Sequence, residues 1–264
     1  MELESDVRSI LAGRPGNFGI YARNLGTGET VEIDADRVLP TESAAKTFML
    51  VHYSALVTEG TLDPARRITL TRDDRTLGSG VLRFLAPGLQ PTLDDLAWLM
   101  IIVSDNLATD VVLREIGGAD AVNARMAALG LETARVNPGF SHQIIDEQPF
   151  GTATPHDLAE VYTHLDERCR DKLFRQQFVD FLPRRLPHAY QSVDFDFLMP
   201  VRVFNKTGGG LGTCVDSGRF ETDTAAWIVA AQATDQQDFA SRADDSAPSA
   251  FADIGELLYQ RWGT

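Results

Sequence analysis

The sequence is poor in cysteine, in positive charge and in long apolar runs. Its 264 residues hold two cysteines, Cys169 and Cys214. That is too few for a disulfide scaffold, and neither sits in a C-x-x-C pair or beside a histidine at zinc spacing, so both read as buried small hydrophobes. Acidic residues outnumber basic ones 38 to 24, for a formal net charge of -14. A field of that sign repels phosphate backbones and anionic membranes, so nucleic acid is not the expected partner. No run of about 18 apolar residues occurs, and a helical membrane span is not expected. Met1 to Asp6 is acidic where a secretory leader is basic and then apolar, so the chain carries no export signal. A cytoplasmic protein and an exported one whose leader has been removed both fit. There is no G-x-S-x-G elbow, no H-E-x-x-H helix and no G-x-x-x-x-G-K loop, which leaves esterase-triad, zinc-protease and phosphate-loop readings without their key residues.

What is present is ordinary globular material: 44% hydrophobic and 23% charged residues, enough to bury a sizeable core. Residues Phe18–Leu25 and Thr30–Asp36 alternate apolar with polar around Gly26-Thr27-Gly28-Glu29, which predicts that the chain opens with a β-hairpin. From Ser43 to Thr58 the apolar residues recur at helical spacing, and Gly60 follows as a stop. Helical signals dominate residues 61–188, notably Leu93–Val103, Leu107–Ile116, Ala119–Ala128 and Thr154–Leu165. Strand patterns return at Val201–Lys206, Gly212–Thr222 and Ala225–Thr234, after which Asp235–Ser249 reads as a surface turn into a last helix ending at Trp262. Two strands cannot make a stable sheet alone. The economical solution is an α/β (α+β) fold with one five-stranded antiparallel sheet, covered by the first and last helices, with an all-helical lobe inserted. The expected lobes are residues 1–60 with 190–264, and 61–189, with a small-molecule cleft between them.

Three short strings carry chemistry. Ser43-Ala44-Ala45-Lys46 puts a hydroxyl and an amine one turn apart at a helix start. A serine is a weak nucleophile until a base removes its proton, and a lysine serves only if burial or a second cation lowers its pKa. Lys206, in Lys206-Thr207-Gly208 at a strand end, is a candidate for that cation. Ser104-Asp105-Asn106 lies between two helices, where Asp105 reads as a helix cap. Taken singly the strings are weak, and Ser43 alone would pass for an N-cap serine. In this order and in these contexts they should meet by chance in fewer than about one chain in a hundred.

With these residues the chain resembles the class A β-lactamases and related penicillin-recognising serine hydrolases, whose signature is this trio. The likeness runs over nearly the whole length and includes Gly78-Ser79-Gly80-Val81-Leu82, Leu107-Ala108-Thr109-Asp110 and Thr154-Pro155-His156-Asp157. It implies that Ser43 is the acylated nucleophile, that Lys46 is its base or proton relay, and that Ser104 passes a proton to the leaving nitrogen. Asn106 would bind a substrate amide, and Lys206 with Thr207 a substrate carboxylate. The N–H groups of Ser43 and Gly209 would form the oxyanion hole. No metal and no organic cofactor is called for, and the expected partner is a small molecule.

One departure bears on turnover. The family's deacylating glutamate has no counterpart in the stretch Arg135-Val136-Asn137-Pro138-Gly139-Phe140-Ser141-His142-Gln143-Ile144. His142, Asp146 and Glu147 lie near, and read as surface or structural residues. Acylation is therefore expected and efficient β-lactam hydrolysis is not. The other readings are a D-alanyl carboxypeptidase or esterase, a β-lactam-binding protein acylated once, and an inactive binding module.

Overall fold

The computed structural model describes residues 2–139, 148–176, 181–186, 200–238, 242 and 244–264. His142, Asp146 and Glu147 lie outside the described residues.

The chain opens with a helix, α1 (Glu2–Leu11), and not with the hairpin. Only Leu3 and Val7 of α1 are buried, a pair too sparse to show a period in a charged segment. The hairpin follows as β1 (Asn17–Asn24) and β2 (Thr30–Ile33), in register Ile20↔Ile33 to Arg23↔Thr30. Its turn is held by the Asn24 side chain, which accepts from the N–H groups of Gly26 and Thr27 at 2.9 and 3.0 Å.

Near the other end, β6 (Arg202–Gly210), β7 (Thr213–Glu221) and β8 (Ala226–Thr234) form an antiparallel meander. β1 pairs with β8 from Asn17↔Thr234 to Asn24↔Trp227, so the two ends close into one five-stranded sheet, ordered β2-β1-β8-β7-β6. β6 runs four residues beyond the expected Lys206, because its glycines lack the side chains that announce a strand. Alternation sorts the sheet into two faces. Phe18, Ile20, Ala22, Trp227, Val229 and Ala231 pack on α1 and on the last helix, α8 (Ser246–Trp262), which starts three residues before the expected Ser249. Tyr21, Phe204, Val215, Ile228 and Ala230 belong to the second core, with α2 (Lys46–Thr58) and the helices of the middle of the chain. Both terminal helices thus cover one face, and the Ser43-bearing segment covers the other.

The middle of the chain holds α3 (Leu93–Ile102), α4 (Asn106–Glu115), α5 (Gly118–Ala128), α6 (Pro155–Glu160) and α7 (Glu167–Phe174). Thr92 and Asp95 make a reciprocal capping box on α3, and Asp105, Thr154 and Asp166 cap α4, α6 and α7. Each such cap is worth about 1 kcal/mol. The block is not wholly helical: β4 (Arg135–Val136) and β5 (Gly151–Ala153) join β3 (Leu39–Pro40) in a small sheet ordered β3-β5-β4. Strands of two and three residues have no readable period. This sheet supports the Ser43 turn, since the Thr41 N–H donates to the Gly151 carbonyl at 2.9 Å. Cys169 and Cys214 are buried free thiols, and no described helix is long and apolar enough to cross a membrane.

Candidate active site

Ser43 sits half-buried in a 3₁₀ turn, Glu42–Ala45, that leads straight into α2. The turn begins on a left-handed non-glycine residue, buried Glu42, at φ +47°. Such backbone costs about 1–3 kcal/mol and persists only where the surroundings fix it. α2 is buried on every side from Lys46 to Ser54, so the first charged group of this helix has no route to water.

That group is Lys46, with no exposed surface. Its Nζ donates to the Ser104 carbonyl at 2.8 Å, to Ser104 Oγ at 2.8 Å and to Asn106 Oδ1 at 3.0 Å. These three bonds join the Ser-x-x-Lys string to the Ser-Asp-Asn string. Ser104 itself is held at φ +49°. Asp105 does what the sequence suggests and more. One oxygen caps α4 through the Ala108 N–H at 3.0 Å, and the other accepts from Val81 and Leu82 at 2.6 and 2.9 Å. Asn106 Nδ2 donates to the Leu77 carbonyl at 3.0 Å. Segment 77–82 therefore clamps this loop, and its glycines are required: a methyl on Gly80 would lie 2.3 Å from the Asp105 carboxylate, and one on Gly78 2.4 Å from Asn106 Nδ2.

The third string arrives on β6, the edge of the sheet. Alternation puts Lys206, Gly208 and Gly210 on one face. A methyl on Gly208 would lie 2.4 Å from the Thr41 carbonyl and 3.0 Å from the Ala44 nitrogen, so this strand presses directly on the Ser43 turn. Gly209 is exposed, and nothing stands nearer than 3.9 Å to where its side chain would start. Thr207 is almost buried beside it. Of the seven expected site residues, Lys46, Ser104 and Asn106 are joined by hydrogen bonds, Ser43 lies one turn before Lys46, and Lys206, Thr207 and Gly209 are carried by β6, whose Gly208 presses on the Ser43 turn.

The electrostatics follow from burial. Desolvation, then the charge of Lys206, push the Lys46 ammonium well below the ordinary lysine range, against the pull of Asp105 and Asp110. Desolvation lowers Lys206 to about 7, opposed by Asp216. Asp216 is fully buried on β7 and accepts from Asn205 Nδ2 and the Leu182 N–H, both at 2.9 Å. The site thus holds two amines poised to be neutral, beside a serine at a helix start.

Two carboxylates escape sequence reading. Asp110 lies one turn beyond Asn106 on α4, an i,i+4 relation that spacing could have flagged. Glu42 is betrayed only by its backbone. The loop that lacks a glutamate is closed by Asn137, whose Nδ2 donates to the Pro149 carbonyl at 2.6 Å and whose N–H donates to the Phe150 carbonyl at 2.8 Å.

A model of the β-lactamase enzyme family matches residues 2–262. A β-lactamase of Streptomyces albus G is 32% identical over 173 residues, which is 61% of this chain and 55% of the relative. The chain spans about half the length of the curated relatives it matches (55%, 47% and 54%). The crystal structure of a β-lactamase from Sphaerobacter thermophilus superposes with a TM-score of 0.84 at 27% identity, over 98% of this chain and 96% of the other. A mutant of PBP-A, solved as its acyl-enzyme complex with penicillin G, gives a TM-score of 0.84 at 23% identity, again over 98% and 96%.

Proposed function

The chain belongs to the β-lactamase enzyme family, and from that membership we propose that it is a serine hydrolase that forms an acyl-enzyme on Ser43 with a carboxylate-bearing lactam, amide or ester. The observation that carries this reading is the position of Lys46: wholly buried, one turn from Ser43, with its Nζ 2.8 Å from Ser104 Oγ. A neutral Lys46 takes the Ser43 proton, and the serine oxygen attacks the acyl carbon. The oxyanion forms between the N–H groups of Ser43 and Gly209, the first at a helix start and the second on an edge strand with open space above it. The proton then passes through Ser104 to the leaving nitrogen or oxygen. Lys206 and Thr207 hold the substrate carboxylate, and Asn106 a substrate amide. The cleft lies between a lobe of residues 1–60 with 190–264 and a lobe of residues 61–189.

Release of the acyl group needs a positioned water and a base, and a positioned base is worth about 10²–10⁴-fold in rate. Arg135 to Gly139 supplies no carboxylate, and one hydrogen of the Asn137 amide is used in closing its own loop. Penicillins therefore acylate Ser43 and leave slowly, as in a β-lactam-binding protein, while small esters that leave room for water turn over faster. The same feature favours, as a second reading, a D-alanyl carboxypeptidase or esterase.

Intact-mass analysis after incubation with a penicillin, a cephalosporin and a chromogenic ester tests this. The expected result is a persistent penicilloyl adduct on the native protein and none on Ser43→Ala. An unmodified mass with all three compounds, or an adduct that survives Ser43→Ala, sinks the nucleophile assignment. Rapid penicillin hydrolysis with no adduct sinks the slow-release reading.

A further inference from the structure

Behind the two lysines runs a buried chain of hydroxyls. Tyr162, in the 3₁₀ turn Val161–His164 that follows α6, has no exposed surface. Its hydroxyl lies 3.3 Å from Thr47 Oγ1 and 3.1 Å from Ser217 Oγ. Thr47 is the residue after Lys46 on α2. Ser217 is the direct cross-strand partner of Lys206 in the β6–β7 ladder, and the Lys206 main chain bears on the same hydroxyl. Each end of the chain thus stands beside one of the two lysines, on two different elements. A phenylalanine would fill the same volume but would take this partner from the buried Thr47 and Ser217 hydroxyls, so the tyrosine oxygen is what ties the two elements together.

We infer that Tyr162 is a positioning residue of the acylation site, whose hydroxyl fixes the strand carrying Lys206 against the helix carrying Lys46. The assignment of a role in acylation rests on the proposed function; the positioning itself does not. Two amines in a dry site interact according to their separation. Drawing two charges apart from about 5 to about 6 Å at an effective dielectric of about 20 changes their mutual effect by about half a pH unit. The other charged groups that bear on the pair are Asp105 and Asp110 on the α4 side and Asp216 on β7, while Glu42 in the turn lies under the glycines of β6. None of them joins α2 to β6 and β7 as Tyr162 does.

The protein has three lysines, Lys46, Lys172 and Lys206. Lysine labelled with ¹³C at the ε carbon therefore gives three resonances whose titration reads each amine directly. The comparison is between the native protein, Tyr162→Phe and Thr47→Val, the last leaving the tyrosine ring in place. In both variants the Lys46 midpoint, which the Lys206 charge lowers, is expected to rise toward the ordinary lysine range by about half a pH unit. Lys172, ion-paired with Asp94 at 2.9 Å, serves as the control that stays put. The pH limb of Ser43 acylation that reads the free Lys46 amine should move with its midpoint. A Lys46 midpoint unmoved in both variants overturns the proposal, whatever happens to Tm. If no acyl donor modifies the native protein, the proposed function fails while the titrations still decide whether Tyr162 positions the lysines.

Discussion

A lysine with no exposed surface is an expensive residue, and this site has two. The cost is met by discharging them: Lys46 is driven well down by burial and by Lys206, and Lys206 falls to about 7. The charge of Lys206 is itself one of the two causes that lower Lys46. Above about 7 Lys206 loses its charge, and with it the anchor that the proposed function gives a substrate carboxylate. The kcat/KM for a carboxylate-bearing donor should therefore fall as pH rises through about 7, whereas a small uncharged ester lacks this limb. A flat profile for the carboxylate donor between about pH 6 and about pH 9 would remove Lys206 from substrate binding. Stability carries the same signature with a definite sign. An unfolded lysine titrates near 10.4, so between about 7 and about 10 the unfolded chain binds more protons, and the contribution of Lys206 to stability rises with pH across that window. Lys206→Met should raise Tm at about pH 6, with the gain shrinking toward about pH 10. The identity of these lysines was legible, because three short strings carry it. Their burial was not, since the atoms that enclose Lys46 come from 58 and 60 residues away.

Glycine at the edge strand shows the same division between what is local and what is not. Lys206-Thr207-Gly208 could be read as a strand end, and the continuation of β6 to Gly210 could not. The reason is the close approach of β6 to the Ser43 turn, which only a residue without a side chain permits. Two neighbouring glycines should therefore respond in opposite ways. Gly208→Ala would drive a methyl to within 2.4 Å of the Thr41 carbonyl, a backbone atom that cannot swing aside, and so wedge the strand off the turn. Gly209→Ala meets nothing nearer than 3.9 Å and keeps its N–H. The expected outcome is a large fall in the acylation rate for Gly208→Ala, of about 10²-fold as for a misplacement of about 1 Å, and a small effect for Gly209→Ala. Stopped-flow acylation with a chromogenic donor gives both numbers, and equal rates in the two variants would show that the strand does not press on the turn. The same logic explains why α1 was missed. Its two buried residues acquire meaning only once α8 is there to receive them.

At the scale of the whole molecule, the five-stranded sheet was legible because two strands at one end of the sequence and three at the other have no stable arrangement except together. The small β3-β5-β4 sheet was not, because its strands are recognisable only by their partners. The assembled molecule places its lysines in an unusual way: of 24 basic residues three are lysines, and all three are buried, Lys46 and Lys206 at 0% exposure and Lys172 at 2%. Lys172 packs over the Trp98 ring, 4.5 Å from its centroid, between α3 and α7. Side-chain amines therefore report on opening of the fold rather than on its surface. In the native state a small amine-acylating reagent should modify none of the three at the rate of an exposed lysine, and modification should appear only as the structure opens. Because β6 presses on the Ser43 turn that leads into α2, and both share the core beneath the sheet, Lys46 and Lys206 should become reactive together, with the same dependence on denaturant. Lys172, held between helices of the other part of the chain, is free to follow its own course. Peptide mapping of the labelled protein across a urea series measures all three at once. Reaction of either site lysine at the rate of a free amine in the absence of denaturant would contradict the burial on which the chemistry of the site depends, and separate transitions for Lys46 and Lys206 would show that the nucleophile turn and the edge strand are not one unit.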